Sequence, residues 1–292
     1  MQIGLIGLGK MGIHLAQNML RNDNDVVAFD LNQDAVKEAG SYGAQTAFSL
    51  DEMIEKLAAP RTVWVMVPAG KPTDATMEQL AAKLSADDVV IDGGNTYWKD
   101  SLKHNRMLTE KGIHFFDCGS SGGWRGALEG GNFMIGGDDK EVFERIRPLF
   151  EGISQKDGYL YTGKAGSGHY LKMVHNGVEY GMMEAIGEGF EVLEASDFDY
   201  DNAAVAKLWN NGSVIRSWLM ELAQAAFEKD PHLDKIQGRM HSSGDAMDHN
   251  VPTPVIYEAL CARFKSMQDD TFDGKVVAAL RNGFGGHEVD KK

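Results

Sequence analysis

Residues 1–12 read Met1-Gln-Ile-Gly-Leu-Ile-Gly-Leu-Gly-Lys-Met-Gly12, a pattern of strand, tight turn and helix. An apolar run, Gln2–Leu8, meets the spacing G-x-G-x-x-G at Gly7, Gly9 and Gly12, and a helical pattern, Met11–Arg21, follows at once. In a strand–turn–helix of this kind the first glycine permits a tight turn and the second lets the backbone approach a pyrophosphate. The third permits close packing of helix on strand, and the helix N-terminus faces the anion. The next apolar run, Asp25-Val-Val-Ala-Phe-Asp30, ends in a carboxylate 18 positions past Gly12. A ribose-binding acid belongs there, because it accepts hydrogen bonds from the adenosine 2′-hydroxyl and repels a 2′-phosphate. No Arg follows in Leu31-Asn32-Gln33. The motif predicts a dinucleotide domain preferring NAD over NADP, with Gly7, Leu8, Gly9, Lys10, Met11, Gly12 and Asp30 at the cofactor. Val67 and Asn95, each just past a later apolar run or at its end, are expected there too.

Outward from this motif, residues 1–163 alternate short apolar runs with helical patterns, the βαβ rhythm. Further strands are expected at Thr62–Val67, Val89–Asp92, His114–Asp117 and Asn132–Ile135, with helices near Thr73–Leu84, Lys99–Lys111 and Lys140–Phe150. Unbroken apolar runs such as Val63-Trp-Val-Met-Val fit a parallel sheet covered on both faces. After Gly158-Tyr-Leu-Tyr-Thr-Gly the pattern turns helical, with one uninterrupted stretch from Ser167 to Ala195 of about 43 Å at 1.5 Å per residue. The expected architecture is an α/β Rossmann-type N-terminal domain, residues 1–163, followed by an all-α C-terminal domain, residues 164–292, with a long central helix. The tail from Arg281 carries Gly283, Gly285 and Gly286 and is expected not to form a regular helix.

Composition narrows the partners. The chain has 292 residues, 29 Lys+Arg against 43 Asp+Glu, and a formal charge of −14. Duplex nucleic acid and anionic membranes require a dense Lys/Arg footprint, so neither is expected. Two distant cysteines, Cys118 and Cys261, with no metal-ligand spacing, point to a reduced cytoplasmic protein and no metal. No basic segment precedes the first apolar run, and nowhere do 18 apolar residues run together, so neither a secretory signal nor a membrane span is expected.

The long helical stretch carries the chemistry. Lys172, His175, Asn176 and Glu179 are spaced i, i+3, i+4, i+7 and fall on one arc of roughly 100°, between flanking Leu171, Met173, Val174, Val178 and Met182. Lys172 can accept a proton if desolvation or a nearby cation depresses its pKa, and Glu179 can donate one if burial raises its own. Two titratable groups pushed in opposite directions are a proton-transfer signature. His175 and Asn176 are then placed to orient the base and a substrate oxygen.

With these residues in view the chain resembles the 6-phosphogluconate dehydrogenase family, within the wider β-hydroxyacid dehydrogenases. The resemblance rests on GLGKMG at 7–12, Asp92-Gly-Gly-Asn95, Ser120-Ser121-Gly122-Gly123, KMVHNGVEYG at 172–181, the Ala-Arg263 segment and Arg281-Asn-Gly-Phe-Gly-Gly-His287, in that order. In length the chain looks like the family's short form. The resemblance implies that Lys172 takes the proton from the substrate 3-hydroxyl as C3 gives hydride to the nicotinamide. The resulting β-keto acid loses CO2, and Glu179 protonates C1 to give ribulose 5-phosphate. It implies that Asn95, Ser121, Gly122, Gly123, His175 and Asn176 hold the sugar acid. Tyr180, Arg263, Arg281 and His287 are implied to hold its phosphate, the last two reaching from the tail of a neighbouring subunit in a homo-oligomer. Two stretches depart from the family pattern: Trp124-Arg-Gly-Ala-Leu128, where the long form is richer in acids, and 238–244, where Arg239 stands without the usual Trp and Thr.

Two other readings stay open at this point. A 3-hydroxyisobutyrate-type dehydrogenase would use Lys172 and the Ser-Gly-Gly loop but has no need of Glu179 or the Arg281/His287 tail. A non-catalytic NAD(H)-sensing module would tolerate the loss of Lys172.

Overall fold

The computed structural model describes residues 1–238, 254–267 and 270–289. The chain forms two compact units, Met1–Lys172 and Met173–Lys292. The first is built on one eight-stranded sheet in the order β3-β2-β1-β4-β5-β6-β7-β8. Its strands are β1 (Gln2–Ile6), β2 (Asp25–Phe29), β3 (Gln45–Ala47), β4 (Thr62–Val65), β5 (Val89–Asp92), β6 (His114–Ser121), β7 (Gly131–Gly136) and β8 (Ser154–Gly163). The helices between them are α1 (Lys10–Arg21), α2 (Gln33–Ser41), α3 (Leu50–Lys56), α4 (Lys71–Lys83), α5 (Trp98–Thr109), α6 (Gly123–Glu129) and α7 (Lys140–Ile153).

Strand side chains point alternately to the two faces of a sheet, so a strand covered on both faces must be apolar at every position. The core shows this directly. Leu5, Val26, Ala28, Trp64 and Ile91 join one apolar cluster, and Ile6, Val27, Val63, Val65 and Val90 join another. Full burial of each such side chain contributes about 1.5–3 kcal/mol. The phase of each strand is therefore set twice over.

The sheet is not parallel throughout, as the apolar runs suggested. Strands β1 to β6 are parallel, but β7 runs antiparallel to β6, and β8 pairs parallel with β7. Two strands were not anticipated. β3 is only three residues long, and β8, at the sheet edge, begins Ser-Gln-Lys-Asp with its first residues exposed or half-exposed. Neither buries enough apolar surface to leave a pattern. Residue 163 closes β8, and the first compact unit continues through the opening turns of the next helix to Lys172.

That helix, α8 (Ser167–Glu194), is 28 residues long. The second unit contains its remainder with α9 (Asn202–Asn210), α10 (Trp218–Lys229), α11 (Pro254–Ser266) and α12 (Phe272–Gly285). Asp201 caps α9, accepting from the amides of Ala203 and Ala204, and Ser217 caps α10, accepting from Met220 N. These helices close around Met183, Phe190, Met220, Phe227, Val277 and Leu280, with the Phe190 and Phe227 rings 4.7 Å apart. The tail departs from expectation: α12 carries Arg281 and runs on to Gly285. Gly283 does not break it, because the missing side chain lets α12 approach Leu222 of α10, where a β-carbon would lie 3.0 Å from Leu222 Cδ2. The helix stops one residue later, at Gly286, whose φ of 60° is left-handed.

Candidate active site

The end of the sheet beyond β1 and β4 opens into a cleft of about 740 Å3, lined entirely by the first unit. Of the residues expected at a dinucleotide, Gly7, Gly9, Lys10, Met11, Gly12, Asp30, Val67 and Asn95 line it. Each glycine of the motif has a separate steric reason. A β-carbon on Gly7 would sit 2.4 Å from Met66 O, and one on Gly12 would sit 2.0 Å from Gly7 O. At Gly9 nothing lies within 4 Å, which is the open approach a pyrophosphate needs. Leu8 is the exception. Its side chain is buried in the core and its backbone amide donates to Asp30 Oδ2 at 2.6 Å.

Asp30 is thus held from two sides, since its Oδ1 also accepts from Asn32 N at 2.7 Å. Each oxygen keeps a second lone pair, so the carboxylate is oriented at the cleft wall and can still accept from a ribose hydroxyl. Exposed Leu31, and Ala75, Thr76 and Gln79 of α4, line the same cleft. These α4 residues carry no sequence signal of their own, and only the fold brings them to the motif. The residues present fit a dinucleotide.

At the other end of the cleft lies β6. Ser120 lines the cleft, and Gly119, its neighbour, lies directly beneath Lys172, where a β-carbon would be 2.3 Å from Lys172 Cβ. Ser121, Gly122 and Gly123 follow, turning the chain out of β6 and into α6 with φ of 105° at Gly122 and 59° at Gly123. The structure therefore packs Lys172 of the long helix onto β6 two residues before Ser121, on the strand whose Ser120 lines the cleft.

In the second unit, His175, Asn176 and Glu179 follow on α8 within two turns. His175 Nδ1 is 3.3 Å from Asn176 Oδ1 and 3.6 Å from Glu179 Oε2, and Glu179 is largely buried. Next comes Tyr180, whose ring gathers two guanidinium groups. Arg263 Cζ is 4.0 Å and Arg281 Cζ 5.9 Å from its centroid, and both arginines are buried. Burial above all, and the Arg281 charge with it, pulls Arg263 below the ordinary guanidinium range, while Tyr180 and Glu184 push the other way. Two like charges held together in a poorly solvated place are relieved by a dianion. His287 lies just beyond α12, exposed, its carbonyl accepting from Asn282 Nδ2 at 2.8 Å. Arg239 lies outside the described residues. Among the described residues, no group of three or more His, Cys, Asp or Glu side chains could hold a metal ion, and no helix is long and apolar enough to cross a membrane.

Both halves of the chain match one known family. Residues 2–163 match the NAD binding domain of 6-phosphogluconate dehydrogenase, and residues 168–279 match the C-terminal domain of the same enzyme. The chain belongs to the 6-phosphogluconate dehydrogenase family. A putative 6-phosphogluconate dehydrogenase of Bacillus subtilis is 52% identical over 299 residues, covering all of both chains. An NAD(+)-dependent, decarboxylating 6-phosphogluconate dehydrogenase of Haloferax volcanii is 42% identical, covering 100% of this chain and 99% of its own. Among solved structures, the 6-phosphogluconate dehydrogenase of Plasmodium falciparum superposes with a TM-score of 0.83 at 28% identity, and this chain spans 62% of its length. The family resemblance seen in the motifs thus holds across the whole chain.

Two measurements test the site. Replacing Asp30 by Ser together with Leu31→Arg removes the acid and supplies a phosphate partner. The kcat/KM ratio for NADP over NAD is expected to rise about tenfold to hundredfold, the value of one charge-assisted contact. An unchanged ratio would take Asp30 out of the ribose site. The second concerns Glu184, buried between α8 and α12, whose carboxyl is pushed from 4.5 up to about 7 by burial, then by Asp273 and Glu188, against the pull of Arg263. Protonated Glu184 favours the folded state. Its stabilisation is therefore fully present below pH 4.5 and lost as pH rises through about 7. Thermal melts across that window should fall more steeply for the native protein than for Glu184→Gln, and parallel curves would refute the assignment.

Proposed function

We propose that this chain catalyses the oxidative decarboxylation of 6-phosphogluconate to ribulose 5-phosphate and CO2 with reduction of NAD. The observation that carries the reading is Lys172 seated on Gly119 of the strand whose next residue, Ser120, lines the dinucleotide cleft. Full-length similarity to an NAD(+)-dependent, decarboxylating relative supports the same chemistry, and Asp30 supports NAD as the working cofactor.

The nicotinamide, when bound, supplies the hydride acceptor for C3 of the substrate; Gly7, Gly9, Lys10, Met11, Gly12, Asp30, Val67 and Asn95 would hold the dinucleotide as a whole, Asp30 at its adenosine ribose. Lys172, as the neutral amine, takes the proton from the 3-hydroxyl. The β-keto acid so formed loses CO2 because its ketone accepts the electron pair of the breaking C–C bond. Lys172, now an ammonium, stabilises the enolate oxygen, and Glu179 delivers a proton to C1. His175 and Asn176 orient the base and a substrate oxygen, while Asn95, Ser121, Gly122 and Gly123 hold the sugar acid. Tyr180, Arg263 and Arg281 take the phosphate, for which two adjacent guanidiniums are well matched.

The chain acts as a homo-oligomer in this reading. Val174, Val178 and Met182, one turn apart on α8, form an exposed apolar stripe on the described surface. Arg281 already reaches the ring of Tyr180 within its own chain, so in this proposal it is His287, past the end of α12, that crosses to a neighbouring phosphate site.

Purified protein given 6-phosphogluconate and NAD should form NADH and CO2 in equal amounts, and Lys172→Met should abolish both while NAD still binds. NADH without CO2 would remove Glu179 from its role, and substantial turnover by the Met variant would remove Lys172. Deleting residues 286–292 leaves α12 whole and should raise KM for 6-phosphogluconate far more than KM for NAD. Equal effects would mean that the tail only stabilises the fold.

A further inference from the structure

A proton acceptor is useful only if its helix cannot slide, and the strand beneath Lys172 supplies the restraint. Asp117 and Gly119 lie two residues apart on β6 and so face the same side of the sheet. Asp117 is fully buried. Its two carboxylate oxygens each accept a backbone amide from the start of α8: Oδ1 from Gly166 N at 2.6 Å and Oδ2 from His169 N at 2.7 Å. The first amides of a helix have no partner within it and are commonly satisfied by the residue just before it. Here the acceptor comes from a strand 49 and 52 residues upstream. A negative charge at this end also meets the positive end of the helix dipole favourably.

Strand and helix then run in step. Two strand residues cover about 6.8 Å and four helical residues about 6 Å, so Gly168 comes against position 117 and Lys172 against position 119. Both meetings are closer than a side chain allows. A β-carbon on Gly168 would lie 2.6 Å from Asp117 O, and one on Gly119 would lie 2.3 Å from Lys172 Cβ. The His169 ring is buried and its Nδ1 is 2.7 Å from Ser101 Oγ of α5, which holds the second capped residue from the other side. Burial pushes the Asp117 carboxyl above the ordinary carboxylate range, against the pull of His169 and the two amides. The arrangement is costly for a residue that serves only to fill space.

We propose that Asp117 is a positioning residue for the reaction, clamping the first turn of α8 to β6 and so setting where along the strand Lys172 presents its amine. This rests on the reading of Lys172 as the proton acceptor. Nothing in the apolar run His114–Asp117 marks the role, because in sequence the residue is simply the polar end of a strand.

The test compares Asp117→Asn, Gly119→Ala and Lys172→Met in the full-length enzyme, recording kcat, KM for 6-phosphogluconate, NAD affinity by fluorescence, and amide exchange across 166–172. Asn keeps one acceptor but turns an amide donor toward the second N–H; Ala at 119 pushes Lys172 off its seat and leaves the clamp in place. Both are expected to lower kcat by about 10²-fold, the cost of misplacing a reacting group by about 1 Å, with NAD affinity and KM near native values. The Asn variant alone should exchange faster at Gly166 and His169. Native kcat in an Asn variant whose capping amides exchange faster would overturn the proposal, since Asp117 would then hold structure only. Were Asp117→Asn not to fold, Gly119→Ala decides, and native kcat there overturns it. Residual turnover by Lys172→Met would show instead that the base assignment had failed. Inert Lys172→Met beside two fully active variants would fault the positioning alone.

Discussion

The first unit depends on backbone approaching backbone more closely than a β-carbon permits. At Gly7 and Gly12 the strand–turn–helix folds back on itself, with Gly7 O and Met66 O occupying space that side chains would need. At Gly119 and Gly168 the long helix settles onto β6 in the same way. In both places the close approach lies beside a group that the proposed reading gives to a ligand: Gly9 in one case and Lys172 in the other. The glycine content, 34 of 292 residues, is in this sense positional, and its cost in chain entropy is offset by contacts available to no other residue.

The second unit is governed by charge at close quarters. The Tyr180 ring lies beside two buried guanidiniums, and Glu184 on α8 pulls against the burial of Arg263. Buried charges of this kind contribute little to stability by themselves. In the proposed reading their arrangement receives the substrate phosphate.

Much of this was legible in the sequence because the signals were local. The motif at 7–12, the acid at 30 and the long helix from 167 each depend on neighbours within one or two turns, and the structure places them accordingly. The illegible parts depend on distant partners. β8 opens with polar residues because an edge strand needs no second apolar face, and β7 reverses direction with no mark in its own residues. Gly283 looks like a helix breaker until Leu222 of α10 is seen to occupy the space it leaves. Asp117 and the cleft residues Thr76 and Gln79 owe their places wholly to tertiary structure. Of the site residues, Leu8 alone in the nucleotide loop turned away from the cleft, its side chain into the core and its amide to Asp30.

The reversal at β7 makes the Ser-Gly-Gly loop a closed excursion. Ser121 pairs with Asn132 across the β6–β7 ladder, so both ends of the loop are stitched to the same edge. Its helix, α6, rests on α1, where the rings of Trp124 and His14 lie 5.3 Å apart, one turn beyond Lys10 and Met11. In the proposed reading, the loop that meets the substrate is therefore propped on the helix that meets the dinucleotide. Helices α1 and α6 pack together within the first unit, so in the proposed reading a shift in the loop of one reactant is felt at the loop of the other.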